Sequence, residues 1–300
     1  METKYKLTDE TITVNGRILH RIEALKDFHN VKKGDKGGFV ETENNLSHYN
    51  NCWIYDNAMV YSKAIICDNA VAHGKAQIHG EVKVYDKAII YGEAQVYDNA
   101  QIYGEAIVCG RSIVSGYVQI SGNAQVYGHA HVFDNARILG NAKIFGNAQI
   151  FGDVKIYGNA RIHNKSQVFN IAEIYDDAKI LGNAQVYGHA VVCGNSIICD
   201  NAIVRDNTKI YGDGVVVNGK VVVCGDAIIK NDSDYIVFKN WWSSGRYFTW
   251  TRSNNMWSVG CFYGTGKELI AKAYKDSELS GREYERVVRY VESILNEDRI

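Results

Sequence analysis

From Ile54 to Ile210 the chain repeats one six-residue unit without insertion or deletion. With Ile54 set at position one, Ile or Val fills 26 of the 27 such positions, and Ala72 is the exception. Position five is small: Ala58, Ala64, Ala70 and Ala76, then Val82, Ser112, Val118, Ser166 and Thr208 among a majority of Ala, ending at Gly214. Position three is Gly, Asp, Asn or Ser in every unit, as in Gly74, Asp86, Asn164 and Ser62. A fixed period this short predicts a solenoid.

The spacing also predicts which side chains point inward. Alternate residues of an extended segment share a face. Ala124 and Val126 therefore point in together, while Gln125 and Tyr127 point out. A turn must follow, and Gly128 supplies it, because Gly and, less readily, Asn or Asp accept positive φ. Three such sides close a triangular coil of 18 residues, about nine coils in the uninterrupted stretch, stacked at roughly 4.8 Å per strand.

The unit Val-Tyr-Gly-Asn-Ala-Gln resembles the hexapeptide repeat of left-handed parallel β-helices, an aliphatic residue followed four places later by a small one. The resemblance implies an all-β solenoid of the left-handed parallel β-helix type, with 18 residues per coil and about nine to ten coils. The chain departs from that family at position two, which is Tyr or Phe in 15 of 27 units, from Tyr55 and Tyr61 to Phe169 and Tyr211.

Outside the repeat the pattern changes. Thr11–Val14, Asn15-Gly16 and Arg17–His20 predict a β-hairpin, Asn-Gly being the strongest two-residue turn signal. Leu46 and Cys52 fall on the small inward position and His48 on the large one, as a hydrogen-bonded capping residue at the mouth of the core. The frame slips by one residue at Asp213-Gly214-Val215, which a corner can absorb without reversing the faces. From about residue 233 four of the five Trp appear, with strand-like segments at Tyr235 to Lys239, Arg246 to Arg252 and Met256 to Phe262. Two helices are expected to follow, the first capped by Thr265 and the second by a capping box of Ser280 and Glu283. The expected organisation is an N-terminal hairpin cap over 1–45, the β-helix over 46–231, and a small α+β domain over 232–300 with Trp-rich antiparallel strands and two helices. Both ends need such structure, since one Ile or Val and one small residue per six do not offset the entropy of ordering an isolated coil, and bare terminal coils would template aggregation.

Composition narrows the function. Net charge is −1 over 300 residues, and the repeat itself holds 13 Lys and Arg against 14 Asp and Glu. Neither a phosphate-tracking nucleic-acid groove nor an acidic nucleic-acid mimic is favoured. Seven scattered Cys in odd number read as free thiols of a reducing cytoplasm, and no signal peptide or membrane span is visible.

The resemblance implies two further readings. Its superfamily contains CoA-dependent acyltransferases, in which a His acts as general base between trimer subunits, so acetyl-CoA would be the cofactor of an enzyme and His129 and His131 the catalytic candidates. Some members are zinc carbonic anhydrases, but the spacing of the histidines here indicates no three-His site. No loop is extruded from the repeat. The favoured expectation is a non-enzymatic binding protein without a cofactor. The Phe133, Phe151, Phe169 and Tyr187 ladder is its candidate interface for self-association as a dimer or trimer. Trp241, Trp242, Arg246 and Trp250 form a candidate aromatic and cationic platform. The whole arrangement looks like hexapeptide-repeat proteins of bacteriophages and prophages, which implies a host protein as partner and interference with host defence. A third expectation is an oligomer that sequesters a small nucleotide-like ligand.

Overall fold

A computed structural model describes residues 3–297. The repeat forms a parallel β-solenoid whose three faces are sheets of two-residue rungs. Face I runs from Trp53–Ile54 to Val216–Val217, face II from Met59–Val60 to Val222–Val223, and face III from Ile65–Ile66 to Ile228–Ile229. Each face carries ten rungs, and with the partial coil formed by Phe39, Val40 and Leu46 the solenoid has about 11 turns. Rungs pair with those 18 residues away, as Gln125–Val126 does with Ile107–Val108 and Lys143–Ile144.

Inside, positions one and five are fully buried along the whole length. Between coils, the Tyr127 N–H donates to the Ile144 carbonyl at 2.9 Å and the His129 N–H to that of Gly146 at 2.7 Å, and this ladder repeats from coil to coil. Position three of every unit from Asp56 to Gly212 has positive φ, in 16 Gly, nine Asp or Ser and two Asn residues. At Gly80 the stacking adds a second constraint, since a Cβ there would lie 2.7 Å from the Asp98 carbonyl oxygen. Asp at this position does more than tolerate the turn. The Asp56, Asp98 and Asp134 carboxylates accept the N–H of Gly74, Gly116 and Gly152 in the next coil at 2.9–3.1 Å. These corner N–H groups would otherwise lack an acceptor.

At the N-terminal end, β1 (Tyr5–Val14) and β2 (Arg17–Ala24) form the expected hairpin, longer than its turn signal alone indicated. With β3 (Lys36–Val40) they extend face II, because β3 pairs in parallel with Met59–Val60. Side-chain donors then close the first coil. Asn45 Nδ2 donates to the Ser62 and Ala64 carbonyls, the Arg21 guanidinium to that of Asp56, and Lys4 Nζ to that of Cys52 at 2.8 Å. Lys4 is 1% exposed, and burial pulls its ammonium below the usual lysine range. His48 is a capping residue as expected, since Nδ1 accepts the Lys4 N–H and the ring stacks on Tyr5.

The C-terminal end uses acceptors instead. In the regular coils the N–H of position six donates to the next coil, as Gln125 does to Ala142. The last coil has no successor. Asp232 Oδ1, Thr249 Oγ1 and Ser253 Oγ replace it, accepting from Val216, Val222 and Ile228, one on each face. Thr249 and Ser253 belong to a four-stranded antiparallel sheet and its turn: β4 (Tyr235–Lys239), β5 (Tyr247–Thr251), β6 (Met256–Val259) and β7 (Phe262–Gly264). Helices α1 (Gly266–Asp276) and α2 (Glu278–Glu297) pack on this sheet around Phe248, Trp250, Trp257, Leu269 and Val288.

Three details of the sequence reading are corrected. After Thr208 the inward small position falls on Val215 and not Gly214, because the longer corner turns Gly214 out to solvent and absorbs the one-residue slip. The segment Met256 to Phe262 is broken by a turn at Gly260-Cys261, where Gly260 has φ +56°. Thr265 caps α1, but α2 begins earlier than the Ser280 signal indicated, and Ser277 Oγ accepts the Ser280 N–H.

Two consequences can be measured. Thr249→Val keeps the shape of the side chain but leaves the Val222 N–H without its acceptor, so equilibrium denaturation should show a loss of about 1–3 kcal/mol. An unchanged midpoint would mean that the cap contributes nothing. Val126→Asp places an unpaired carboxylate in the coil centre and should cost on the order of 5 kcal/mol. Calorimetry showing a wild-type melting temperature would overturn the inward assignment of position one.

Candidate functional site

With positions one and five turned inward, the exposed chemistry of each face is set by positions six and two. On face II this produces two parallel ladders. His131, Gln149, Gln167 and Gln185 stand on successive rungs, and the glutamine amides link the stack: Gln167 Nε2 donates to Gln149 Oε1 at 2.8 Å and Gln185 Nε2 to Gln167 Oε1 at 3.0 Å. Beside them Phe133, Phe151, Phe169 and Tyr187 stack with centroids 5.2, 4.8 and 4.5 Å apart and interplanar angles of 9° or less. All these side chains are half-buried. The strand spacing of a parallel sheet is close to the contact distance of stacked rings, so identical aromatic residues at a period of 18 align without strain.

Over the same coils the other faces are charged. Face I presents Lys143, Arg161 and Lys179 on consecutive rungs, beside the Tyr127, Phe145 and His163 stack. Face III presents Arg137 and Lys155, the latter paired with Glu173 at 2.7 Å. Rungs 149–185 of face II carry neither acid nor base at either outward ladder position. This stretch is thus a flat, uncharged amide and aromatic strip, flanked over the same coils by faces that carry Lys and Arg.

The expected aromatic ladder is therefore assembled as one strip, with the glutamine ladder added to it. The sequence reading passed over those glutamines, although their period of 18 was visible once every third unit was aligned. His129 and His131 are not brought together around a common point. His129 sits exposed on the corner between faces I and II, His131 lies on a face II rung, and neither ring has a hydrogen-bond partner among the described residues. Among the described residues no group of three His, Cys, Asp or Glu side chains is placed to hold a metal ion. Cys193 and Cys199 are free thiols on faces III and I. No helix among the described residues is long and apolar enough to cross a membrane.

In the tail, the candidate platform separates by depth. Trp250 is 1% exposed, and its Nε1 donates to Asn255 Oδ1, so its ring faces are occupied by the core. Trp242 packs edge-on against Tyr284 and Phe248. Trp241, 76% exposed, and Arg246 remain at the surface.

The position-two ladder also holds histidines. His79 stacks between Tyr61 and Tyr97 at 4.8 and 5.2 Å, and burial holds its pKa below the ordinary histidine value; burial does the same to His48. Below pH of about 6.5 the unfolded chain then binds more protons than the folded one, so stability falls as pH drops from that point. The melting temperature should decline between pH 7.5 and 5, and His79→Phe, which restores a common ladder residue, should flatten the decline. An identical slope in the variant would show that His79 contributes none of it.

Two single coils of the rod match a known family. A profile described as the YdcK beta solenoid repeat matches residues 94–110 and 184–200, each beginning at the position-five Ala of a face II rung and running through faces III and I. No curated protein matches the chain. The fold and these matches together describe a β-solenoid repeat protein, similar in those two coils to the YdcK repeat.

Proposed function

We propose that this protein is a non-enzymatic binding or scaffold protein whose rod self-associates through face II. The observation that carries the reading is the aromatic ladder from Phe133 to Tyr187 with its hydrogen-bonded glutamines, without acid or base from Gln149 to Tyr187 and set between two faces bearing Lys and Arg. Contiguous half-exposed aromatic area of this kind favours association, and a flat strip without charge can meet its own copy about a two-fold axis without opposing like charges. The end domains, which differ from each other and from the rod, are then free to select a partner. The likeness of the whole arrangement to phage-borne hexapeptide-repeat proteins supports a host protein as that partner, and interference with host defence as the process.

Native mass spectrometry of the full chain tests the reading. The wild type should be an oligomer, unchanged in mass by acetyl-CoA, and Phe151→Lys combined with Phe169→Lys should yield a monomer with the solenoid's circular dichroism intact. A monomeric wild type, or an oligomer indifferent to both substitutions, would sink the face II assignment. Stoichiometric uptake of CoA would replace it with the acyltransferase reading.

A further inference from the structure

A second site lies in the tail, away from the rod's faces. A cleft of about 460 Å³ opens between the loop joining β4 to β5, the turn joining β6 to β7, and the junction of α1 with α2. Its size falls within the range of small-molecule pockets. Arg246 enters from the loop, Lys272 and Asp276 from the last turns of α1, Ser277 from the junction of the helices and Ser280 from the first turn of α2. Phe262 and Leu269 supply an apolar side.

Three features of this cleft suit an anion. Neither Arg246 nor Lys272 is within ion-pair distance of a carboxylate among the described residues; Lys272 only lies over the Phe262 ring, at 5.6 Å. Ser280 is 8% exposed, yet its hydroxyl has no hydrogen-bond partner among the described residues, its N–H alone being engaged by Ser277. The same wall is the N-terminus of a 20-residue helix, where backbone N–H groups and the helix dipole favour an anion. Two cations, a free hydroxyl and a helix N-terminus converge on one space, and a guanidinium with an ammonium suits a phosphate dianion better than a carboxylate.

We infer that this cleft binds a small organic phosphate monoester, held by Arg246, Lys272 and Ser280. Asp276, at the same cleft, accepts a hydrogen bond from a hydroxyl of the organic part, so a hydroxylated phosphate is preferred to inorganic phosphate. Phe262 and Leu269 cover the ligand's carbon skeleton. The site is complete within one chain and independent of oligomer formation.

Calorimetric titration of the full chain with ribose 5-phosphate, inorganic phosphate and ribose tests this. Ribose 5-phosphate should bind saturably and more tightly than inorganic phosphate, and ribose should not bind. Arg246→Gln should weaken ribose 5-phosphate by about tenfold or more and Ser280→Ala by several-fold, with the melting temperature of each free variant retained. Asp276→Asn should reduce the preference over inorganic phosphate. Bound ribose 5-phosphate should also slow alkylation of Cys261, the exposed thiol of the cleft. Absence of saturable binding up to about 10 mM, or binding that Arg246→Gln leaves unchanged, would overturn the assignment. So would an equal loss on Lys143→Gln, a cation of face I far along the rod.

Discussion

Hydrogen bonding from each coil to the next is the interaction on which everything else in this molecule rests. A rung is two residues long and, with the residue before it, buries one aliphatic and one small side chain, too little to hold itself. Its groups are satisfied only because the coil 18 residues away presents matching ones. That demand explains the corners. Each must turn the chain identically, so position three of every unit takes positive φ, and where Asp stands there its carboxylate reaches the next coil's corner N–H. It also explains the ends, where the ladder's polarity makes the two caps chemically opposite. Donors from Asn45, Arg21 and Lys4 meet carbonyls at one end, and acceptors from Asp232, Thr249 and Ser253 meet N–H groups at the other.

A stack so regular converts sequence period into surface chemistry. Residues six apart lie on different faces, whereas residues 18 apart touch. Face II can therefore be uncharged over the coils where face I carries Lys143, Arg161 and Lys179, although all three positions belong to the same hexad pattern. Stacked like charges at strand spacing are unfavourable, and stacked amides and rings are favourable, so the faces differ in what they can meet as well as in composition. The proposed division of labour follows from this separation. The rod's neutral face suits a copy of itself, and the tail offers a polar cleft.

The tail joins both roles. Its sheet closes the last coil through Thr249 and Ser253 while the opposite side of the same domain, where Arg246, Lys272 and Ser280 meet, stays open. A domain that only capped the rod would need neither unpaired cation beside the unpartnered Ser280 hydroxyl. The cap explains why β5 is where it is; it does not explain the cleft.

The rod was legible in the sequence because its physics is local and repeated. Val126 inward, Tyr127 outward and Gly128 at the corner follow from alternation and positive φ, and 27 repetitions leave no room for another register. The hairpin's Asn-Gly turn and the Thr265 cap were equally local signals. What the chain alone left open depended on contacts distant in sequence. Gly214 and Val215 both fit the small position until a corner decided which one faced in. Ser280 was the stronger capping signal, but the turn after α1 started α2 at Glu278, and Ser277 became the cap. Trp250 and Trp241 are alike in sequence, yet packing against α1 and α2 buried one and left the other exposed. Repetition let the sequence determine the solenoid and the ladders on its faces; the caps and the tail cleft, built from residues that meet only once, were decided by tertiary structure.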